Sequence, residues 1–346
     1  MDKWYINKGP DSDVILSSRV RLARNFKKYP FPHKTTPEQQ RQIIEETKNA
    51  LFSGNRNMAD NFTYIDFTGL DAVEKAVLVE KHVVSKELLE TSRISGILLS
   101  NDERISIMIN EEDHLRIQCL ATGMQLSEAW EICTGIDDLL SETIDFCWDE
   151  NIGYLTSCPT NIGTAIRASV MMHLPALTMT GYIKPVLEAL GKLGMAVRGM
   201  YGENTEASGN MFQLSNQITL GKSEEDILLS IKNIATQIIE QERSLRQHLL
   251  NQNKYQLEDR VFRSFGILKN SRIISTDECL KRLSDLRLGV DMGIIEGISI
   301  KSINELILSV QPGNLQKREG RILDANERDI VRARLVREIL NKQKNN

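Results

Sequence analysis

Residues 105–119 read Ile105-Ser106-Ile107-Met108-Ile109-Asn110-Glu111-Glu112-Asp113-His114-Leu115-Arg116-Ile117-Gln118-Cys119, two apolar alternations around an acidic turn. On one side Ile105, Ile107 and Ile109 alternate with Ser106 and Met108; on the other Leu115, Ile117 and Cys119 alternate with Arg116 and Gln118. Strand side chains repeat every two residues, so both flanks suit half-buried strands joined by the loop. Three consecutive carboxylates repel one another, and the loop costs stability unless cations, a metal or a basic substrate offset it. A solvated acidic turn and a catalytic loop both fit the stretch taken alone.

The 346 residues suffice for one large domain and a smaller one. A 41% hydrophobic and 26% charged composition with 8 prolines is that of a globular chain, neither disordered nor fibrous. Lys and Arg total 43 against 47 Asp and Glu, and the net charge of -4 argues against a dedicated nucleic-acid binder. The cysteines Cys119, Cys133, Cys147, Cys158 and Cys279 show no C-x-x-C spacing and follow no secretory leader, which fits a reducing cytoplasm. No apolar run approaches the roughly 20 residues that span a bilayer, so a soluble protein is expected.

Toward the N-terminus, Val14 to Asn25 carries Arg19 and Arg21, which share one face if the segment is extended. Two guanidinium groups on one face are costly unless an anion lies between them, and a polyphosphate matches such planar, bidentate donors; a solvated edge strand is the alternative. Residues 37–51 and 71–91 read as surface helices, the second ending in Lys81-His82-Val83-Val84-Ser85, and Leu126 to Trp148 has helical spacing. Gly153 to Thr164 reads as a short strand running into a hydroxyl-rich loop that holds Cys158, either a small buried hydrophobe or a thiol beside cations. Ile166, Ala168, Val170 and Met172 then alternate with Arg167, Ser169, Met171 and His173, a strand with Arg167 on its polar face.

A helix from Tyr182 to Leu193 ends at Gly194, a C-cap. Met195 to Asn210 reads as a strand and a long glycine- and carboxylate-rich loop, of the kind that moves as a lid, and Met211 to Asn216 as the return strand. Gly221-Lys222-Ser223 is not a P-loop, because Asn216 stands where its first glycine belongs. Ser223 with Asp226 caps a long amphipathic helix instead. Near residues 245–255 the character changes to all-helical, marking a domain boundary. The last helix, Ala325 to Lys342, places Arg328 and Arg332 on one face beside Asp329, an exposed basic face or a binding pocket. No zinc-ligand spacing, Rossmann fingerprint, G-x-S-x-G elbow or internal repeat occurs.

Ser17-Ser18-Arg19-Val20-Arg21, Asn110 to Arg116, Cys158 to Thr164 with Arg167, and Arg198-Gly199 followed by Gly202-Glu203 together resemble the catalytic domain of the phosphagen (guanidino) kinases. The motifs occur in order over about 200 residues. The resemblance implies an α+β fold, an antiparallel sheet flanked by helices (residues 1–250), followed here by an all-helical C-terminal domain (251–346). It implies that Arg19, Arg21, Arg116, Arg167 and Arg198 clamp the phosphates of ATP with Mg2+, near His82. The nucleotide segments carried over are Ser17, Ser18, Arg19, Val20 and Arg21; Arg167, Ala168, Ser169, Val170 and Met171; and Arg198, Gly199, Met200, Tyr201, Gly202 and Glu203. No metal ligands are carried over. Glu112 and Glu203 are the implied carboxylates that hold and deprotonate the guanidinium, and Cys158 the implied reactive cysteine that helps position it.

Small-molecule members carry a helical N-terminal domain, whereas here the motifs begin at residue 17 and a helical region follows them, as in the bacterial protein arginine kinases. Tyr201 stands where free-arginine kinases have a further arginine. Arg328-Asp329-Ile330-Val331-Arg332-Ala333 resembles a phosphoarginine-binding motif, which carries Arg328, Asp329, Arg332 and Ala333 over as a regulatory pocket. The expected activity is therefore phosphorylation of protein arginines. The alternatives are a kinase for free arginine or another small guanidino compound, and a phosphoarginine-binding adaptor. The same resemblance implies a cytoplasmic stress-response role in low-GC Gram-positive bacteria, marking proteins for a Clp-type unfoldase and protease and silencing a heat-shock repressor. It further implies a zinc-binding activator protein and a homodimer or higher oligomer.

Overall fold

The computed structural model describes residues 3–53, 60–199 and 208–342. Its centre is β1 (Ile15–Arg24), paired antiparallel with β5 (Leu115–Thr122) on one side and β8 (Ile166–His173) on the other. Beyond β5 lie β4 (Ile105–Ile109), β3 (Gly96–Ser100) and β2 (Phe62–Asp66); beyond β8 lie β10 (Met211–Asn216) and β9 (Met195–Gly199). These eight strands form one sheet in which every neighbouring pair is antiparallel. A two-stranded ribbon, β6 (Trp148–Asp149) with β7 (Gly153–Tyr154), stands apart.

The period-two pattern decides what each face does. Val20 and Leu22 of β1, Ile117 and Cys119 of β5, and Ala168 and Val170 of β8 enter one apolar core with α1 (Pro37–Ser53), α4 (Leu126–Ser141) and α7 (Glu224–Gln252). On the opposite face Met108 and Leu120 pack into a smaller cluster with Trp4, Val83 and Leu88, at the β3–β5 side. On that same face Leu16, Met171 and Met211 join the core of the C-terminal helices. The strip between these two clusters is where the arginines stand.

Residues 71–91 are not one helix. Asp71 and Glu74 form a reciprocal capping box for α2 (Ala72–Glu80), His82 adopts φ 60°, and Ser85 caps a separate short helix, α3 (Lys86–Glu90). A non-glycine residue in the left-handed region cannot continue a helix, so the chain breaks there. Likewise α4 stops at Ser141, and Trp148 lies in β6 rather than in that helix. A further helix, α5 (Pro175–Met179), follows β8, and α6 (Ile183–Lys192) lies just inside the expected Tyr182 to Leu193.

The C-terminal region is helical: α8 (Lys254–Asn270), α9 (Thr276–Asp291), α10 (Ile300–Ser309), α11 (Pro312–Glu319) and α12 (Ala325–Lys342). Val261, Leu283, Leu286, Ile303 and Val336 form much of its core. It is tied to the sheet-bearing region by Glu80, whose carboxylate accepts from the backbone N–H groups of Gly313 (2.6 Å) and Asn314 (2.8 Å) at the start of α11. Among the described residues no helix is long and apolar enough to cross a membrane.

Candidate active site

Arg21 lies directly opposite Arg167 across the β1–β8 ladder; Arg116 lies opposite Ala23, and Arg198 opposite Gln213. Like charges facing each other across a ladder destabilise a sheet, and the nearby Glu111 and Glu112 offset the repulsion only in part. Burial, then the neighbouring Arg116 and Arg167, push the Arg19 guanidinium down to about 10. Arg21 is held well below the ordinary value by burial and by Arg19, Arg116 and Arg167. Burial and Arg198 also lower Arg167. The Nε of Arg21 is buried without a hydrogen-bond partner. Arg24, at the end of the same strand, shows the contrast: it is buried with Asp137, Nε at 2.9 Å and Nη2 at 2.6 Å from its carboxylate. An anion placed among Arg19, Arg21 and Arg167 would relieve the mutual repulsion, the arrangement that bidentate phosphate binding uses.

The acidic loop closes the β4–β5 hairpin, with Asn110 at φ 62° and its N–H donating to the His114 carbonyl at 2.9 Å. Its members have separate roles. Glu111 is fully buried and accepts from Ser85 Oγ and from Arg116 Nη1 (2.7 Å). Asp113 is equally buried and accepts from Asn25 Nδ2 and the Ser157 N–H, both at 2.7 Å. His114 accepts the Phe26 N–H at Nδ1 (3.0 Å), so its Nε2 carries the proton shared with the Pro30 carbonyl (2.9 Å). Burial, then Arg93, push this imidazole down to about 4 against the Pro30 bond, and it is a neutral structural group. Glu112 alone faces solvent, 41% exposed, with Arg116 Nη2 at 3.1 Å. Burial and the carboxylates of Asp113, Glu111 and Glu87 raise its pKa, opposed by Arg116.

Glu112, Arg21, Arg116, Arg167, Arg198 and Cys158 line one cleft. Cys158 is half-buried there, Sγ 3.0 Å from Thr160 Oγ1. The cleft also contains residues that sequence reasoning missed: His33, Glu87, Arg93, Ser157 and Asn161. Arg93 fixes the acidic loop by donating to the carbonyls of Asn110 (Nε, 3.1 Å) and Glu111 (Nη2). Nothing in its local pattern signals this, because the contact joins segments far apart in sequence.

Arg19 and His82 line a neighbouring, more apolar cavity with Ser17, Ser169 and Met171. Burial and Arg19 push His82 down to about 4, so its ring is neutral. Four residues carried over from the motifs point elsewhere: Ser18 is fully buried with Oγ donating to the Gly123 carbonyl (2.7 Å), and Val20, Ala168 and Val170 belong to the helix-covered core. The two-residue period turns their side chains away from the cleft. Gly199 ends β9 beside Arg198, whereas Met200, Tyr201, Gly202 and Glu203 lie outside the described residues.

In α12, Arg332 is buried, donating to the carbonyls of Val310 (Nε, 2.8 Å) and Ile274 (Nη1, 2.9 Å) and to Asp329 Oδ1 (Nη1, 2.5 Å). Ala333 is core. Arg328 is half-buried, with Nη1 donating to the Leu323 carbonyl at 2.9 Å.

Residues 42–245 match the family model described as ATP:guanido phosphotransferase, C-terminal catalytic domain, and residues 254–346 the one described as protein-arginine kinase McsB C-terminal domain. The chain is 52% identical over 334 residues to the protein-arginine kinase of Halalkalibacterium halodurans, covering 96% of this chain and 94% of that one. It is 50% identical over 345 residues to the protein-arginine kinase of Bacillus subtilis, covering 100% and 95%. The chain belongs to the protein-arginine kinase family. Among solved structures it resembles lombricine kinase (TM-score 0.60, 24% identity, 68% of each chain), a likeness of fold. It also resembles the duplicated taurocyamine kinase of Schistosoma mansoni with bound transition-state-analogue components (TM-score 0.60, 26% identity, 68% of this chain and 34% of that one).

Membership of the protein-arginine kinases makes the chain a guanidino phosphotransferase, and ATP the implied phosphoryl donor. The unpartnered Arg21 Nε and the repelling arginines fit a triphosphate. Among the described residues no group of three metal-ligating side chains exists. Where Mg2+ accompanies ATP, it would be held largely through phosphate oxygens and water, which this ion prefers.

Proposed function

We propose that this chain transfers the γ-phosphoryl group of Mg·ATP to a terminal nitrogen of arginine side chains in proteins. The observation that carries the proposal is the juxtaposition, in one cleft, of a repelling arginine cluster with the exposed carboxylate of Glu112. An anion and a cation each find their counter-charge there, side by side.

In this reading Arg19, Arg21, Arg116, Arg167 and Arg198 hold the phosphates, with His82, Ser17, Ser169 and Met171 around the base. Glu112 orients the substrate guanidinium and accepts its proton as nitrogen attacks; its raised pKa favours that acceptance. A P–N bond forms, the bond from the γ-phosphorus to the bridging oxygen breaks, and ADP leaves with that electron pair. Cationic donors fixed in advance stabilise the charge spread over the transferring group. Glu203 supplies the second carboxylate and Cys158 helps seat the guanidinium. Arg328, Asp329, Arg332 and Ala333 form the proposed phosphoarginine pocket. A protein rather than a free amino acid is the acceptor because relatives matched over nearly their whole length carry that activity in their names.

The wider role rests on the family resemblance: a cytoplasmic homo-oligomer that works with a zinc-binding activator, marks proteins for a Clp-type protease and silences a heat-shock repressor. ATP consumption with an arginine-rich unfolded protein, compared with free arginine, tests the proposal. Mass spectrometry under non-acidic conditions detects the labile P–N bond. Turnover with the protein alone is expected; turnover with free arginine alone overturns the choice of substrate.

A further inference from the structure

The cavity beside the arginine cleft has walls from two regions of the chain. Leu16, Arg19 and His82 come from the sheet-bearing part, and Asn304, Ile307 and Leu308 from α10 of the C-terminal helices. Arg19 and Arg21 project from the same face of β1, about 7 Å apart along the strand, so this cavity adjoins the phosphate-binding cluster. An apolar hollow beside a cationic strip suits the base of a nucleotide whose phosphates occupy the strip.

One polar side chain on the α10 wall has its orientation fixed. Arg287 is 1% exposed and donates through Nη1 to Asn304 Oδ1 (2.5 Å) and through Nη2 to the Ser12 carbonyl (2.6 Å). A guanidinium has donors and no acceptor, so Asn304 must turn its oxygen toward Arg287 and its Nδ2 amide away. No described residue accepts from that amide. Trp4, which lines the same cavity from the N-terminal segment, has a second donor, Nε1, that is buried without a partner. A purine ring offers what both lack, bare ring nitrogens that only accept.

We infer that Asn304 is a specificity residue for the nucleotide base, donating from Nδ2 to an unprotonated ring nitrogen of adenine, so that the C-terminal helices complete the base pocket. The inference rests on the reading above, that this cleft binds ATP. It assigns Arg287 as a positioning residue, acting on the nucleotide only through Asn304.

The test is equilibrium binding and steady-state kinetics with ATP and its 1-deaza, 3-deaza and 7-deaza analogues. Asn304→Asp keeps a partner for Arg287 but replaces the donor with an acceptor. It should raise Kd and KM for ATP about fivefold, the size of one hydrogen bond, and leave kcat unchanged. One deaza analogue should bind the wild type about fivefold more weakly than ATP, with no further loss in Asn304→Asp. Equal binding of all four nucleotides to the wild type, or additive losses in the variant, overturns the inference. Leu308→Trp, which fills the same wall, should also raise Kd, and an unchanged Kd counts against the pocket if Asn304→Asp does not fold. Arg19→Ala separates the two levels. If it weakens ATP binding while the α10 variants do not, only the role of α10 falls; if it too leaves binding unchanged, the nucleotide reading itself falls.

Discussion

Arg21 and Arg332 are both sequestered guanidinium groups in one chain, yet they are built for opposite purposes. Arg332 meets two carbonyls and a carboxylate, and its charge is answered by the protein itself. Arg21 faces Arg167, keeps a buried Nε with no partner and is held well below its ordinary pKa. The first arrangement is answered within the fold, whereas the second leaves repulsion that, in the proposed reading, ATP would relieve. An arginine named in a motif is therefore read by its partners as much as by its position.

The largest test of this contrast concerns the cation side of the cleft. Glu112→Gln removes the proton acceptor but keeps the shape, and turnover should fall by about 10²- to 10⁴-fold while ATP affinity stays within about twofold. Wild-type turnover would remove Glu112 from the chemistry. Next in size, Arg332→Ala strips three acceptors of their donor and should cost about 3 kcal/mol of stability in denaturant unfolding. Arg328→Ala, losing one bond, should cost about 1 kcal/mol. Phosphoarginine-peptide binding lost in Arg328→Ala at near-native stability would separate recognition from folding in that pocket. Undiminished binding would leave Arg328 without the assigned role.

Arg21→Met should do the reverse of Arg332→Ala: weaken ATP binding at least tenfold, yet raise the stability of the ligand-free protein by about 1 kcal/mol. Lower stability together with unchanged ATP binding would erase the distinction. The smallest effect is in pH. His114 binds its proton near 6.5 when unfolded but only near 4 when folded, so the unfolded chain holds more protons between those values. Its contribution is complete above about pH 6.5 and is lost progressively as pH falls toward 4. His114→Gln should flatten the melting-temperature profile in that window, and an unaltered slope would mean His114 titrates normally.

Local patterns carried much of this. The alternations of 105–109, 115–119 and 166–173 foretold β4, β5 and β8, and the i, i+2 spacing of Arg19 and Arg21 foretold their common face. The resemblance supplied the segments around them but not their facing: Ser18, Val20, Ala168 and Val170 travel with the motifs because a strand carries both faces in one string of residues. Long-range closure was illegible. Arg93 reaches the acidic loop, and Asn304 reaches the cavity by Arg19, through tertiary packing that leaves no local periodic trace. The break at His82 was missed for a related reason, since a left-handed residue followed by a Ser85 cap looks apolar and helical in composition.

The carboxylate of Glu80 carries a consequence for how the chain opens. It is pushed up by burial and held down by donors from Gly313 and Asn314 of α11, and it lies two residues before His82, which lines the cavity shared with Asn304. A chain severed near Asn253 would lose both donors to Glu80, and this clasp predicts that the two halves open together. Native-state hydrogen exchange should find the amides of α2 and α11 opening together with a single free energy. Separate openings would mean the clasp holds nothing. In kinetic terms, the cavity between Arg19 and α10 can be no longer-lived than the junction that shares its wall.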